Sequence, residues 1–378
     1  MTISLDKYPF SELPEALVVD MLSYCEDISI KLSKSFSHLY NSKDDFRKEL
    51  LKQNLLKKDS ELLNTPLYPT TCGIDGSYTV EKLLSTDIVA SASVAVEGLA
   101  PPSEVRHWPK PRHYSQILTI KHNNSTTAIS RAIMMCMELS IAVKAPHNVV
   151  FLDGSLTTPL VIISQALNSI DEADSEIREV LLKRLNMALA SYVKILSSKN
   201  VDQAVVGVPK YTSRNDISKY VLKTIDYEDR SLLSFILKPG ELVGPRLVDK
   251  HAHKWYLNNP PRNSESLLNH IIELLDDISI IYYRPYDHVP TLRIEIPSSV
   301  ANDSHRLSML LEAIKSQCEV PGILEPYPLY LADRMVKNLR TALPAIRKTI
   351  TQEMTSNWPG SYADLYFTMH GYRTEWGK

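Results

Sequence analysis

Apolar residues along the chain form short runs with the lengths of the strands and helices of an α/β protein. Cys72 to Val80, Ile88 to Glu97 and Tyr114 to Lys121 are predicted as three successive strands. Small or apolar residues alternate with polar ones in the second of these, which is typical of a strand in a sheet. The continuous apolar run Val149 to Leu152 predicts a buried fourth strand. Gln203 to Val208 predicts a fifth.

Helical periodicity fills the intervals between the later strands. A helix is predicted from about Thr127 to Lys144, behind the possible N-cap at 124–126, a second after Pro159, and an amphipathic third from about Glu172 to Leu196. The order is therefore three strands, helix, strand, helix, strand. It matches a ribonuclease H-like mixed sheet, in which an antiparallel meander is followed by parallel strands and helices flank the sheet. In that architecture the first and fourth strands are neighbours.

Further elements are predicted in the C-terminal half. Ile278 to Arg284 and Thr291 to Ile296 have the composition of strands, and Ser304 to Gln317 that of a helix. A long helix is expected to begin near Pro328, since proline is favoured in the first helical turn.

Three regions follow from this pattern. Residues 1–70 are predicted to be a polar, helical N-terminal extension, residues 71–345 the α/β domain, and residues 346–378 a tail that packs on the domain or on a partner. The extension contains no recognisable chemistry, so packing on the domain, dimerisation and docking of a partner all remain possible roles for it.

Composition excludes several classes of protein. The chain has 378 residues, of which 44% are hydrophobic and 23% charged, as in ordinary globular proteins. No apolar run approaches the roughly 20 residues that cross a bilayer, and the N-terminus lacks the order of a secretory signal. The four cysteines form no CxxC pair, which argues against a zinc site or a disulfide framework. A cytoplasmic protein without a membrane association is expected.

The net charge of −2 removes the simplest argument for nucleic-acid binding. Two basic clusters nevertheless remain, one within residues 104–122 and one spanning Lys250 to Tyr256. Each can be a contact surface for phosphates or a solvated loop.

Two copies of one signature suggest a site. Asp75 and Asp153 each end an apolar run and begin an Asp-Gly-Ser sequence. Such an aspartate is often only a turn former. If the first and fourth strands are neighbours, however, the two carboxylates meet at the edge of the sheet where open α/β folds bind ligands. Clustered carboxylates are ligands for Mg²⁺ or Mn²⁺, and two such ions are the usual arrangement for phosphodiester cleavage.

Three further acids are candidates for this site. Glu138 lies on the helix before the fourth strand, where ribonuclease H-like nucleases place a glutamate, and Glu97 ends the second strand as a competing ligand. Either can instead be an ordinary surface acid. Asp333 on the C-terminal helix either completes the metal site or pairs with Lys337 at i+4.

Three residues are candidates for contacts with substrate. Lys210 directly follows the fifth strand and can reach a phosphate, Tyr327 precedes the long C-terminal helix, and Arg112 belongs to the first basic cluster. A surface lysine, a core tyrosine and a solvated arginine are the corresponding structural alternatives.

Taken together, these motifs resemble the NurA nuclease family. The resemblance covers roughly residues 71–340 and rests on the order and spacing of several segments. They are GIDGS (73–77), FLDGSL (151–156), VVGVPK (205–210), YYRP (282–285), LRIEIP (292–297) and PYPLYLADRM (326–335).

The resemblance implies a ribonuclease H-like, dimeric nuclease that degrades DNA with Mn²⁺ or Mg²⁺. It also implies work beside HerA, a hexameric ATP-driven DNA translocase, in 5′–3′ end resection, DNA repair or antiphage defence. Asp75 and Asp153 match the two metal-binding aspartates of the family, Glu138 or Glu97 its glutamate, and Tyr327 the tyrosine of its late YP motif. The family commonly has a histidine after that motif, where this chain has Asp333, so metal preference is expected to differ.

Two other functions fit the same residues. Actin-like ATPases also use two Asp-Gly-Ser/Thr turns, although this chain has only 11 glycines and no evident adenosine pocket. A non-catalytic subunit of a DNA translocase complex, with acids kept for structure alone, is the other alternative.

Overall fold

The apolar runs of the sequence become the strands of a single sheet. The computed structural model describes residues 10, 13–64, 68–84, 86–101, 106–212, 214–223, 227–247 and 263–370. The strands are β1 (Leu56–Lys58), β2 (Thr71–Lys82), β3 (Asp87–Glu97), β4 (Arg112–Ile120), β5 (Val149–Asp153), β6 (Ala204–Val208), β7 (Glu241–Leu247), β8 (Ser279–Arg284) and β9 (Leu292–Ile296). Their order across the sheet is β1-β7-β8-β9-β6-β5-β2-β3-β4.

Helices cover both faces of this sheet. They are α1 (Glu15–Ser23), α2 (Cys25–Lys52), α3 (Thr126–Ala142), α4 (Thr158–Asn168), α5 (Ser175–Leu196), α6 (Asp216–Tyr220), α7 (Asp229–Ile236), α8 (Glu265–Leu275), α9 (Ser298–Ala301), α10 (Ser304–Gln317), α11 (Tyr327–Thr355) and α12 (Tyr362–Thr368). None of the helices in the described part of the chain combines the length and the apolarity that a bilayer crossing needs.

The predicted ribonuclease H-like mixed sheet is confirmed. β2, β3 and β4 form an antiparallel meander, and β5 lies parallel to β2 on one side and to β6 on the other. The first and fourth predicted strands, β2 and β5, are therefore neighbours, with Ile74 opposite Leu152. This pairing brings Asp75, inside β2, next to Asp153 at the end of β5. Residues 75–77 stay in β2, paired with β3, whereas the chain leaves the sheet after Asp153.

Strand alternation divides the core between the two faces. Ile74, Val150 and Leu152 point towards α3 and α5, in one buried cluster. Phe151 lies between Val150 and Leu152 and therefore points to the opposite face of the sheet. There it packs in a second cluster with residues of α10 and α11. The continuous apolar run of β5 is explained by this burial on both faces.

The N-terminal extension differs from the helical prediction. After α1 and α2 the chain forms β1, which pairs antiparallel with β7 and so closes one edge of the sheet. Neither strand is evident in the sequence, because β1 is only three residues long and β7 contains Pro245. α1 buries no residue and α2 buries only Leu39 and Leu50. A role of residues 1–70 in dimerisation or in docking a partner stays a prediction.

The described part of the C-terminal tail packs on the domain. Leu365 and Met369, on and just after α12, belong to a buried cluster with Leu83 and Ile88 at the meander. Residues 371–378 lie outside the described residues. Contact of the tail with a partner stays a prediction.

Helix α11 rests directly on the main chain of β2 at Gly73. A Cβ atom at this position would overlap the main-chain atoms of Pro328 and Leu329, in the first turn of the helix. Because main chain cannot rotate away as a flexible side chain can, only glycine permits this approach. The GIDGS motif therefore positions α11 as well as Asp75.

Replacement of Gly73 by alanine should test this packing. We expect Gly73→Ala to lower the free energy of unfolding by about 1–3 kcal/mol, as overpacking typically does, measured by urea denaturation. Gly322→Ala is the comparison, because a Cβ at Gly322 would meet no atom within 4 Å and only its positive φ of 91° opposes the change. An equal decrease in unfolding free energy in both variants would contradict a steric requirement for glycine at residue 73.

Candidate metal centre

Three aspartates from three elements meet at the carboxyl end of β5, beside the first half of β2. Asp75 follows Ile74 on β2, Asp153 is the last residue of β5, and Asp333 lies on α11 above them. Each offers a carboxylate oxygen, and these three oxygens all lie within 4.8 Å of one another. The structure thus brings together the two residues with the Asp-Gly-Ser signature and the acid on the C-terminal helix.

Lys210 lies among these acids. Its Nζ is 2.8 Å from Oδ2 of Asp153, 3.1 Å from Oε2 of Glu325 and 3.4 Å from Oδ1 of Asp333. Burial alone would lower the pKa of this lysine, but the charges of Asp153 and Glu325 outweigh burial and raise the pKa. Lys210 is therefore a fixed cation at the centre of the acidic cluster.

Glu325 is a site residue that the sequence analysis missed. It directly precedes Pro326, the N-cap of α11, and burial raises its pKa, although the charge of Lys210 opposes the rise. The only available signal was an acid immediately before the PYP sequence. The fold brings the residue before the first turn of α11 next to Lys210, which follows the end of β6.

Asp333 is placed so that it can join the metal site and also pair with Lys337. It approaches Asp75 and Asp153, and its Oδ2 is also 2.7 Å from Nζ of Lys337. Burial opposes ionisation of Asp333, but the hydrogen bond from Lys337 and the charge of Lys210 prevail, so its pKa lies below the ordinary value. Asp333 is therefore the acid of this cluster that is held ionised by its neighbours.

Glu138 approaches the cluster from the other face of the sheet. It is buried on α3, and a Cβ at Gly76 would overlap its Oε1 atom, so the bare main chain of Gly76 leaves room for the carboxyl group. Burial raises the pKa of Glu138 well above its ordinary value, and the charges of Asp75 and Asp153 raise it further. Glu138 is thus electrostatically part of the site.

Glu97, the competing ligand, does not reach this site, and that prediction is wrong. Its partner across the β2–β3 ladder is Cys72, whereas Asp75 lies three positions or about 10 Å further along β2. Its carboxylate is already engaged, since Oε1 is 2.7 Å from Nε2 of His147 and accepts a hydrogen bond from the main-chain N–H of His107 at 2.8 Å. Glu97 holds the loop at 107–108 against His147, just before β5.

The structure does not bring Arg112 to the acids either. Arg112 lies on β4, the edge strand, with its guanidinium 5.8 Å from the ring centre of Trp108, and it lines a cavity together with Tyr114 and Lys144. Two strand positions separate β4 from Asp75 on β2. Arg112 is therefore not part of the acidic cluster, and its contact with substrate stays a prediction.

Tyr327 lines a groove on the β3 side of α11. The groove has a volume of about 260 Å³, and its other walls include Val96, Trp108, Lys110 and Leu331. Asp333 faces the opposite side, towards Asp153, because six residues along a helix place it well round the axis from Tyr327.

The second basic cluster, at 250–256, lies outside the described residues.

The donor set fits a hard divalent cation. Three carboxylate oxygens within reach of one ion are the ligands that Mg²⁺ and Mn²⁺ prefer. Burial raises the pKa of Asp75 to about 8, and the charge of Asp153 contributes to the rise. Such a cluster is costly without neutralising cations, and a divalent ion would add to the charge that Lys210 supplies.

This raised pKa predicts how stability depends on pH when a chelator is present. Folding favours protonated Asp75, so the stabilisation is complete below pH 4 and is lost as the pH rises through about 8. Asp75→Asn should therefore be more stable than the wild type at pH 8.5, by roughly 2–4 kcal/mol, and this gain should vanish near pH 4. Thermal unfolding at both pH values measures the effect.

Asp333→Asn is the contrasting variant. Because the pKa of Asp333 is lowered, its ionised form stabilises the fold above about pH 4. We expect its amide to destabilise the protein at pH 8.5, where Asp75→Asn stabilises it. Changes of the same sign in both variants would contradict the electrostatic description of the site.

Solved structures of NurA have a similar fold. The crystal structure of the NurA nuclease from Sulfolobus solfataricus superimposes with a TM-score of 0.54 and 16% identity, covering 86% of this chain and 98% of that one. A structure of NurA bound to dAMP and manganese gives a TM-score of 0.52 at 16% identity, over 83% of this chain and 93% of that one. A third, NurA with manganese, gives 0.53 at 15% identity, over 86% and 98%.

No curated protein sequence is significantly similar to this chain. At identities of 15–16% the superpositions establish a shared fold. The sequence profile of the NurA domain, in contrast, matches residues 69–338, which is well over half of the chain. The described Asp75, Asp153 and Asp333 all lie inside the matched range. The chain belongs to the NurA family.

Proposed function

We propose that this protein is a divalent-metal-dependent nuclease that hydrolyses phosphodiester bonds in DNA. The observation that carries the proposal is the convergence of Asp75, Asp153 and Asp333, with carboxylate oxygens within 4.8 Å of one another. The family match and the fold shared with NurA nuclease structures support a nuclease. Manganese in two of those structures supports Mn²⁺ as a cofactor here, with Mg²⁺ as the alternative.

Asp75, Asp153 and Asp333 would hold the metal, with Glu138 as a fourth acid. A pair of bound cations would supply an activated water and stabilise the leaving oxygen of a phosphodiester. The chain's own contribution is to fix the carboxylates on two strands and a helix, so that little reorganisation is needed when substrate arrives. Metal binding requires ionised Asp75 and Glu138, so affinity should increase as the pH rises.

Lys210 would contact substrate in the same place. Its side chain is 24% exposed and its ammonium group is directed at the acids, so a scissile phosphate next to them lies within its reach. A lysine supplies a compact positive charge, which suits phosphate binding. In the absence of other cations the same ammonium reduces repulsion among Asp153, Glu325 and Asp333.

The resemblance to the NurA family is also the basis for proposing partners. We propose that the chain acts as a homodimer with a HerA-like hexameric ATPase in the cytoplasm, in 5′–3′ processing of DNA ends for repair or for defence against phage. The net charge of −2 supports a partner that contributes to DNA binding, because a chain that binds duplex DNA alone is usually basic. The family match gives no support to an actin-like ATPase.

The central test is the loss of nuclease activity on removal of a ligand. Asp75→Asn and Asp153→Asn should each reduce the rate of Mn²⁺-dependent DNA degradation by on the order of 10²-fold or more, since even outer-shell changes at metal sites often cost 10–100-fold. Activity is measured on linear DNA with and without the partner ATPase.

Glu97→Gln is the matched control for this test. Its carboxylate binds His147 and the main chain of the 106–108 loop, and an amide oxygen can accept the same hydrogen bonds. This variant should retain the wild-type rate. Full activity in both aspartate variants, or a loss of activity confined to Glu97→Gln, would refute the proposed site.

Lys210→Met tests the role of the central cation. In a chelator the variant should lose about 1–3 kcal/mol of unfolding free energy, because three acids lose a partly buried counter-charge. Lys337→Met, which removes a 71% exposed lysine from Asp333, should cost only about 0–1 kcal/mol. Urea denaturation with and without Mn²⁺ provides the measurement.

We expect Mn²⁺ to reduce the difference in unfolding free energy between Lys210→Met and the wild type, because the added cations then neutralise the acids. Equal losses for the two lysine variants would show that Lys210 does not neutralise the cluster.

A further inference from the structure

Two motifs of the sequence, YYRP and LRIEIP, contribute no residue to the metal centre, yet they contain fully buried charges. Arg293 and Glu295 on β9 are 1% and 3% exposed, and Tyr282 on β8 is completely buried. Buried charges are costly unless they are paired and hydrogen-bonded. The partners of these residues therefore indicate what the motifs are for.

The network formed by these residues ends at the turn that carries Asp153. Oε2 of Glu295 accepts a hydrogen bond from Ser155 Oγ at 2.6 Å and another from the main-chain N–H of Leu156 at 2.9 Å. Ser155 and Leu156 are the second and third residues after Asp153. Tyr192 of α5 donates a further hydrogen bond to the carbonyl oxygen of Leu156. The turn is thus held by side chains from β9 and from α5.

The other end of the network is fixed in the body of the domain. Oε1 of Glu295 accepts from Arg293 Nε at 3.0 Å, and Arg293 in turn donates to the hydroxyl oxygen of Tyr282 at 2.6 Å. Tyr282 donates to Oδ2 of Asp229 at 3.0 Å. Asp229 also accepts main-chain hydrogen bonds from Ile217 and Ser218, both at 2.8 Å. Every link of this chain is buried.

Gly207 of the VVGVPK motif makes the connection possible. It lies on β6, between β9 and β5, opposite Glu295 on one side and Leu152 on the other. A Cβ at Gly207 would lie 2.7 Å from the carbonyl oxygen of Gly154 and 2.9 Å from the nitrogen of Leu156. Only a residue without a side chain lets the turn settle against β6, within reach of Glu295.

We infer that Glu295, supported by Arg293, Tyr282 and Asp229, is a positioning residue that fixes the turn after Asp153 and thereby the place of the Asp153 carboxylate in the metal centre. The inference rests on the proposed function, since it concerns the same site. Glu295 contacts neither Asp153 nor Lys210 in any hydrogen bond or ion pair of the described residues. It acts through Ser155 and Leu156.

Glu295→Gln tests the inference by changing the turn contact with little change in volume. Its amide cannot serve both Arg293 and the turn as the carboxylate does, so the turn is held less firmly. We expect Mn²⁺ affinity to fall about tenfold or more, measured on the full-length, folded protein by electron paramagnetic resonance of free Mn²⁺. Excess Mn²⁺ should restore most of the DNA cleavage rate.

Glu241→Gln is the matched control. Glu241 is also a buried glutamate on a strand, paired with Arg47 and accepting the main-chain N–H of Lys238 at 2.8 Å. Its segment does not touch the Asp153 turn. This variant should lose stability in thermal unfolding as Glu295→Gln does, yet bind Mn²⁺ like the wild type. A purely structural role of Glu295 would give the two variants the same Mn²⁺ affinity.

Ser155→Ala keeps the test decisive if Glu295→Gln does not fold. It removes one of the two turn contacts while the Arg293–Glu295 pair remains, so a smaller loss of Mn²⁺ affinity, about threefold to tenfold, is expected. Ser191→Ala, which removes a buried hydroxyl bonded within α5, is its control. If Ser155→Ala and any folded Glu295→Gln protein bind Mn²⁺ with wild-type affinity, the positioning role is refuted and the proposed function is unaffected. If the wild type does not bind Mn²⁺, both the positioning role and the proposed function are refuted.

Discussion

Repulsion among acids is the constraint on which this fold depends. Carboxylate oxygens of Asp75, Asp153 and Asp333 lie within 4.8 Å of one another, and Glu138 and Glu325 add two further carboxyl groups around them. Two like charges at about 4 Å oppose each other by about 4 kcal/mol even at an effective dielectric constant of 20. No attraction between these side chains can hold them together. Burial of β2, β5 and α11 in the two cores, with Lys210 as counter-charge, supplies the opposing free energy.

The centre of the site was predictable from local sequence, and its periphery was not. Asp75 and Asp153 each follow an apolar run, and the order of elements makes their strands neighbours. Glu325 carries no such signal, because its role depends on where the first turn of α11 meets β6, over a hundred residues away in sequence. Glu97 was misleading for a related reason. Adjacent strands bring residues together only at matching register, and Glu97 is in register with Cys72 rather than with the acids.

The edges of the sheet were also beyond prediction. β1 has three residues of polar character and becomes a strand only because β7 offers it unpaired main-chain groups. Central strands such as β5 are instead specified by their own apolar residues, buried on both faces. The buried pair Arg293 and Glu295 falls between these cases. A charged pair inside an apolar strand was visible in LRIEIP, but its partner, the turn at 154–156, is two strands away.

The contact between α11 and Gly73 has a consequence for the distance between two of the acids. Helix and strand meet there main chain to main chain, so the separation of the backbones that carry Asp333 and Asp75 is fixed at this point. A methyl group at residue 73 would lie 2.5 Å from the carbonyl oxygen of Pro328, about 1 Å inside ordinary contact. A larger residue there would therefore push the helix that carries Asp333 away from the strand that carries Asp75.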